Sequence, residues 1–254
     1  RYDYPAASAG ALSDHPAFSH RFVSSDGTSD AEVSSTYQMT KSAGLTTSMA
    51  VTDPSGTTIT TNLFTSGWQT GLVSSVVISS GTTTLRTTTN SWTQDNPSSS
   101  VATNPRISSI TSTLSDSGQQ SVSFLTYGAN GNITELDEYD FTGLLMRKTQ
   151  TDYLSTTAYT NLHILDRPSQ IRVYDRLAGL ISRSDLAYDS TGLSSVTSTT
   201  NHDDTNFGTA FTTRGNVTQV TRYANAAAAS GTADGRGARR RAARLRDRQP
   251  VRPA

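Results

Sequence analysis

The chain has no cysteine in its 254 residues, which excludes disulfide frameworks, zinc ribbons, iron–sulfur clusters and cysteine nucleophiles. Charged residues make up 17% of it and hydrophobic residues 33%, so both groups are scarcer than in most globular domains. No apolar run approaches the roughly 20 residues of a membrane-spanning helix. No ten-residue window before residue 226 has the apolar spacing of an amphipathic helix. These absences argue against a membrane span and against a helical bundle.

Serine and threonine are abundant instead, and together they make up about 30% of the chain. Threonine, valine and tyrosine suit a pleated sheet, and the low charge does not match a disordered chain. We therefore expect an all-β protein of serial antiparallel β-hairpins. The chain opens with RYDYPAASAG, without an initiator methionine or an apolar leader, so we also expect it to be a piece of a longer protein.

Turn signals punctuate residues 1–120. In AVTDPSGTTITT, Pro54 presets its φ angle and Gly56 can adopt a positive φ between two strand-like segments. A similar signal at Ser79-Ser80-Gly81 separates two further strand-like segments. Both patterns are typical of β-hairpins.

A more regular unit appears after residue 120, where an aromatic residue stands four or five positions before a glycine. The pairs are Tyr127/Gly131, Tyr139/Gly143, Tyr174/Gly179, Tyr188/Gly192 and Phe211/Gly215. Aspartate follows three of the tyrosines, as Asp140, Asp175 and Asp189. Aspartate can accept a hydrogen bond from the backbone two residues on, and glycine can adopt the left-handed conformation that returns the chain. We predict these thirteen residues to be structural turn residues, each tyrosine pairing across its hairpin with the aliphatic residue after the glycine.

The segments YGANGNITELDEYDFTG, NLHILDRPSQIRVYD and FTTRGNVTQVTRY resemble the YD-repeat (Rhs repeat) family. The resemblance is strong over about 120–225 and weaker over 37–120. In that family such repeats form hairpins that spiral into a hollow β-shell. Its members include bacterial Rhs polymorphic toxins, the shell components of insecticidal toxin complexes and animal teneurins.

The resemblance implies a non-enzymatic structural segment of a secreted or cell-surface bacterial protein. Its partners would be further repeats of the same parent chain and an enclosed C-terminal toxin. The chain is too short to close a shell, and it lacks the family's core segment whose aspartates release the cargo, so no catalytic residue is carried over. We predict no cofactor, no metal and no nucleic-acid partner.

The sequence is also compatible with two other functions. A cell-surface adhesion or carbohydrate-binding β-protein would present rows of tyrosines to a glycan. A hydrolase would use His202 and Asp203, beside Asp204, as a general base or metal site, or would use Asp137, Glu138 and Asp140 as paired carboxylates. We expect structural or solvated roles for these acidic residues, because neighbouring residues of a strand face opposite ways.

Composition predicts three regions: a Ser/Thr-rich strand region over 1–120, repeat hairpins over 121–225 and an Ala/Arg-rich tail over 226–254. The tail carries eight arginines against two aspartates, although the whole chain has a net charge of zero. We expect this tail to be disordered or weakly helical, and we interpret it as an out-of-frame reading of a GC-rich gene.

Overall fold

The computed structural model describes residues 1–3, 19–193 and 201–223, and over this part the chain is all-β, as predicted. It forms fourteen antiparallel strands and two one-turn helices. The strands are β1 Tyr2–Asp3, β2 His20–Ser24, β3 Glu32–Ser42, β4 Leu45–Thr52, β5 Thr57–Leu63, β6 Val73–Ser80, β7 Thr83–Thr93, β8 Arg106–Leu114, β9 Gln120–Tyr127, β10 Ile133–Tyr139, β11 Leu145–Tyr153, β12 Pro168–Tyr174, β13 Leu180–Tyr188 and β14 Val217–Arg222. The helices are α1 Thr157–Thr160 and α2 Asp204–Phe207.

The strands follow one another in a single sheet in the order of the sequence, from β1 to β14. Each connection therefore joins two neighbouring strands, which confirms the prediction of serial hairpins. Within the described residues, the packing of strand on strand is between consecutive strands. Such an arrangement resembles a repeat protein, in which each unit is stabilised by its immediate neighbours.

Two units can be distinguished along the chain. Unit 1 consists of Arg1–Leu125 with Glu138–Leu144, and unit 2 consists of Thr126–Asp137 with the chain from Leu145 onward. The predicted boundary at residue 120 remains a prediction. The predicted tail over 226–254 lies outside the described residues.

In unit 1, β-branched residues occupy matching positions on neighbouring strands. Val51 pairs with Ile59, and Ile59 pairs in turn with Ile78. Such pairs stabilise a sheet because branched side chains pack well on a pleated surface. Most of these side chains stay half-exposed, and no large side chain in the described part of the chain is fully buried.

In unit 2, three strands end in a tyrosine at an irregularity of the pairing. The register shifts between Asp152 and Tyr153, between Val173 and Tyr174 and between Ala187 and Tyr188. A bulge of this kind re-aims the last side chain of a strand. The tyrosines are thereby positioned beside the connections, where the candidate site lies.

Candidate functional site

The turn at Asp140 is closed by its own backbone and carboxylate. The amide of Asp140 donates to the carbonyl of Leu144 at 2.9 Å, and the amide of Gly143 donates to the carbonyl of Asp140 at 3.0 Å. The Asp140 carboxylate accepts from the amides of Thr142 at 2.8 Å and Leu144 at 3.2 Å. Gly143 has a φ of 78°, the left-handed conformation that the sequence predicted.

The turn at Asp53 repeats this geometry in the Ser/Thr-rich region. Its carboxylate accepts from the amides of Ser55 and Thr57, both at 2.9 Å, and Gly56 has a φ of 86°. The Ser55 hydroxyl also donates to this carboxylate, at 2.6 Å. This bond, followed by the backbone bonds, holds the pKa of Asp53 below its ordinary value. The same turn therefore exists outside the segment where the repeats are clearest.

The turn at Asp175 corrects one prediction. Gly179 does not have a positive φ; the left-handed residue is Ala178, with a φ of 60°. Ala178 lies three positions after Asp175, just as Gly143 lies three positions after Asp140. The five-residue spacing from Tyr174 to Gly179 therefore does not mean that the turn contains an inserted residue. Gly179 lies one position later, where a Cβ atom would come within 3.2 Å of the Asp175 carboxylate oxygens. Glycine at 179 thus permits the short 2.8 Å bond from its amide to that carboxylate.

The connection at Gly128 has the same backbone without a carboxylate. The amide of Gly128 donates to the carbonyl of Asn132, and that of Gly131 donates to Gly128, both at 2.9 Å. Gly131 has a φ of 79°, and Tyr127 ends the strand before it. Of these two predicted residues, Tyr127 therefore precedes a five-residue turn of the same shape, and Gly131 lies within it.

The turn at Asp189 corrects a second prediction, because Gly192 does not have a positive φ. The left-handed glycine is Gly215, with a φ of 70°, and the amide of Asp189 donates to the carbonyl of Asn216 at 3.0 Å. The Asp189 carboxylate accepts from the amides of Arg214 at 2.9 Å, Gly215 at 2.8 Å and Asn216 at 3.0 Å. The turn is therefore assembled from two segments that are far apart in the sequence.

This split turn combines residues from two of the predicted aromatic–glycine pairs, Tyr188/Gly192 and Phe211/Gly215. Tyr188 pairs with Val217 across the sheet, rather than with the aliphatic residue that follows Gly192. Phe211, which the sequence assigned to a separate unit with Gly215, instead packs edge-on against Phe207 with the ring centroids 5.6 Å apart. The cross-strand pairing predicted for Tyr174 is present, with Leu180 opposite it.

Electrostatics reinforce the split turn. Burial raises the pKa of Asp189, but the three backbone amides outweigh it, so the pKa lies below its ordinary value. The hydroxyl of Tyr159, in α1, also donates to Asp189 at 3.0 Å. Burial and this bond raise the pKa of Tyr159. The Asp189 carboxylate thus joins the two ends of its own connection, and it also holds helix α1, which belongs to the preceding long connection.

Two tyrosine hydroxyls tie the ends of strands together. Tyr153 donates to the carbonyl of Ile133 at 2.9 Å, and Tyr188 donates to the carbonyl of Pro168 at 2.8 Å. Each bond spans 20 positions of the sequence. Tyr153 does not fit the predicted aromatic–glycine pattern, because no glycine follows it at the expected spacing. Its signal in the sequence is that it precedes Tyr188 by the same interval that separates Asp140 from Asp175.

The candidate acid–base groups are placed separately. His202 bonds to Asp204 at 2.7 Å, and Asp203 caps α2 by accepting from the amide of Asn206 at 3.1 Å. Asp137 lies 3.4 Å from the ammonium group of Lys148. Glu138 is the next residue of β10, and Asp140 is engaged in its turn. Within the described ranges, no group of three or more His, Asp or Glu side chains could hold a metal ion.

The two long connections of unit 2 border an open cleft of about 500 Å³. It is lined by Thr157, Ala158, Asn161, Leu162, Ala210, Phe211, Thr212 and Thr213. A smaller cleft of about 320 Å³ lies beside the Gly128 turn and includes Asn132, Asp152 and Tyr153. Neither lining contains a cluster of titratable groups.

Comparisons with known proteins leave the family open. No protein-family model matches the chain, and no curated protein matches it. Among solved structures, it is similar to a porin-like protein from Bacteroides uniformis ATCC 8492, with 16% identity and a TM-score of 0.35. The match covers 76% of this chain and 70% of that one. In the part of the chain that the structure describes, no helix has the length and apolar character needed to cross a membrane.

Proposed function

We propose that this chain is a wall segment of a YD/Rhs-type β-shell that encloses a cargo, such as a toxin belonging to the same parent protein. The observation that carries this proposal is the equivalence of two successive hairpins, β10–β11 and β12–β13. Both have an Asp turn at one end and a Tyr-to-carbonyl bond at the other, and each of these features recurs after 35 positions, as Asp175 follows Asp140.

Repetition of this kind is more typical of a structural wall than of a catalytic or binding site. Each hairpin specifies its own turn, and each strand packs on its neighbours in sequence, so stability is added one hairpin at a time. Further hairpins can extend the sheet without altering those already present. The mechanism is enclosure, in which the sheet separates a cargo from the solvent.

Protease protection tests this proposal. The parent protein, carrying this chain with its neighbouring repeats and the downstream segment, is digested before and after mild denaturation. We expect the downstream segment to resist cleavage until the sheet opens. A turn-breaking double variant, Asp140→Ala with Gly143→Val, should lose protection, whereas the matched control Gly192→Val should retain it. Cleavage of the downstream segment at the same rate in every sample would contradict enclosure.

A second candidate function is cell-surface adhesion through carbohydrate binding, and the open cleft of unit 2 favours it. The hydroxyls of Tyr153, Tyr159 and Tyr188 are bonded within the protein, so the cleft offers a better contact than the tyrosines. Binding of the full chain to a glycan array tests this candidate. An array without any bound glycan would remove it and leave the wall proposal unaffected.

A further inference from the structure

The long connections of unit 2 contain more residues than a chain reversal needs. The connection 128–132 reverses the chain with five residues, closed by the bond from Gly128 to Asn132. The connection 154–167 is closed by the equivalent bond from Leu154 to Arg167 at 2.8 Å, and 189–216 by the bond from Asp189 to Asn216. Because the closing bond is the same, the additional residues of the two longer connections serve something other than the turn.

Residues of the two connections that the structure describes are held against one another. Tyr159 of the first connection donates to Asp189, and the Nε of Arg167 donates to the carbonyl of Gly215 at 3.0 Å. Arg214 donates to the carbonyls of Phe207, Gly208 and Phe211, which fixes the second connection internally. Hydrogen bonds therefore hold both of the connections that border the cleft.

The lining of the cleft is neutral and mixed. Asn161, Thr157 and Thr212 are exposed and bring an amide and two hydroxyls, none of which has a hydrogen-bond partner in the described residues. Leu162 is 43% exposed. Phe211 adds a half-buried aromatic ring, which packs edge-on against Phe207 and has the Arg214 guanidinium carbon 5.6 Å from its centroid. The lining residues include no charged side chain. Arg214, which follows the lining residue Thr213, directs its Nε and Nη2 groups to three backbone carbonyls.

We propose that this cleft binds a neutral saccharide. Its volume of about 500 Å³ is within the usual range for small-ligand sites. The apolar face of a sugar ring would pack on Phe211 and Leu162, and its hydroxyls would bond to Asn161 and the two threonines. The inference rests on the second candidate function and is independent of the wall.

Titration of the full chain with neutral disaccharides (cellobiose, maltose, chitobiose and mannobiose) tests the site. We expect at least one to bind below about 10 mM, and Phe211→Ala to weaken it about tenfold through loss of ring stacking. Asn161→Ala, at an exposed position whose side chain has no hydrogen-bond partner in the described residues, should weaken binding severalfold. The matched control is Phe124→Ala, because Phe124 is a 51% exposed aromatic residue of unit 1.

Each outcome has a defined meaning. Weakening in both cleft variants but not in Phe124→Ala supports the site. Binding that is unchanged in both cleft variants overturns the site but keeps saccharide binding elsewhere on the chain. Failure of all four disaccharides to bind overturns the proposal, and preferential binding of sialyllactose would overturn the assignment to a neutral ligand.

Discussion

Units 1 and 2 share the same strand pairing, but the side chains that link neighbouring strands differ in charge. In unit 1 the links are mainly between neutral groups, such as Thr52 with Thr58 at 2.8 Å and Thr88 with Ser112 at 3.0 Å. In unit 2 the corresponding links are ionic. The pairs are Lys148–Glu135 at 2.9 Å and Arg172–Asp152 at 2.8 Å. The same architecture is therefore built with two kinds of interaction.

The long connections show the same difference. In unit 1, Gln94 is only 4% exposed; its amide donates to the carbonyls of Asn96 and Ser99 and accepts from the amide of Thr103. In unit 2, the Asp189 carboxylate performs the equivalent task with a full charge. A neutral and a charged group can thus fix similar loops, and the two units should respond differently to pH and salt.

The largest expected effect comes from the left-handed glycines. A Cβ atom at Gly215 would lie 2.8 Å from Nε of Arg167 and 3.1 Å from Ile164, whereas one at Gly143 would meet nothing within 4 Å. We expect Gly215→Ala to lower the free energy of unfolding by about 3 kcal/mol, from backbone strain and the clash together. Gly143→Ala should cost about 1 kcal/mol, from strain alone. Urea unfolding measures both, and equal losses would show that the long-range turn is no more constrained than the local one.

The two loop-fixing residues come next. Replacing either Asp189 or Gln94 by alanine should cost about 2 kcal/mol at neutral pH, because several partly buried backbone groups lose their partners. The pKa of Asp189 lies below its ordinary value, so its contribution is complete above about pH 4. It is lost as the pH falls through the lowered pKa.

The difference in stability between wild type and Asp189→Ala should therefore shrink on acidification. The difference between wild type and Gln94→Ala should stay constant, because an amide does not titrate. Unfolding curves recorded between pH 7 and about pH 2.5 test both statements. A constant difference for Asp189 would mean that its carboxylate is not what holds the loop.

Local chemistry explains what the sequence could predict. The turns at Asp53 and Asp140 are recognisable because every group that closes them lies within five consecutive residues. The partnership of Asp189 with Gly215 has no such signature, since a long segment intervenes, and Gly192 stood at the expected distance by coincidence. The neutral cleft could not be predicted either, because it depends on two loops that the sequence does not mark as neighbours.

Ala178 offers a smaller change in the opposite direction. It occupies the left-handed position that glycine fills in the Asp53 and Asp140 turns, with a φ of 60°. Ala178→Gly removes that strain, and we expect it to raise the free energy of unfolding by about 0.5–1 kcal/mol. Thermal unfolding measures the gain, and Ala187→Gly, within β13, is the matched control that should lose stability. A loss in both variants would mean that the Asp175 turn does not have the geometry of its counterparts.

The smallest effect tests the difference between the units most directly. Double-mutant cycles on Lys148 with Glu135 and on Thr88 with Ser112 should each give a coupling of about 0.5 kcal/mol at low salt. The partly exposed ion pair should lose most of its coupling at about 1 M salt, where the Debye length is about 3 Å. The hydroxyl pair carries no net charge, so its coupling should persist. Equal persistence of the two couplings at high salt would mean that charge does not distinguish the units, and that the ionic links of unit 2 act mainly through their hydrogen bonds.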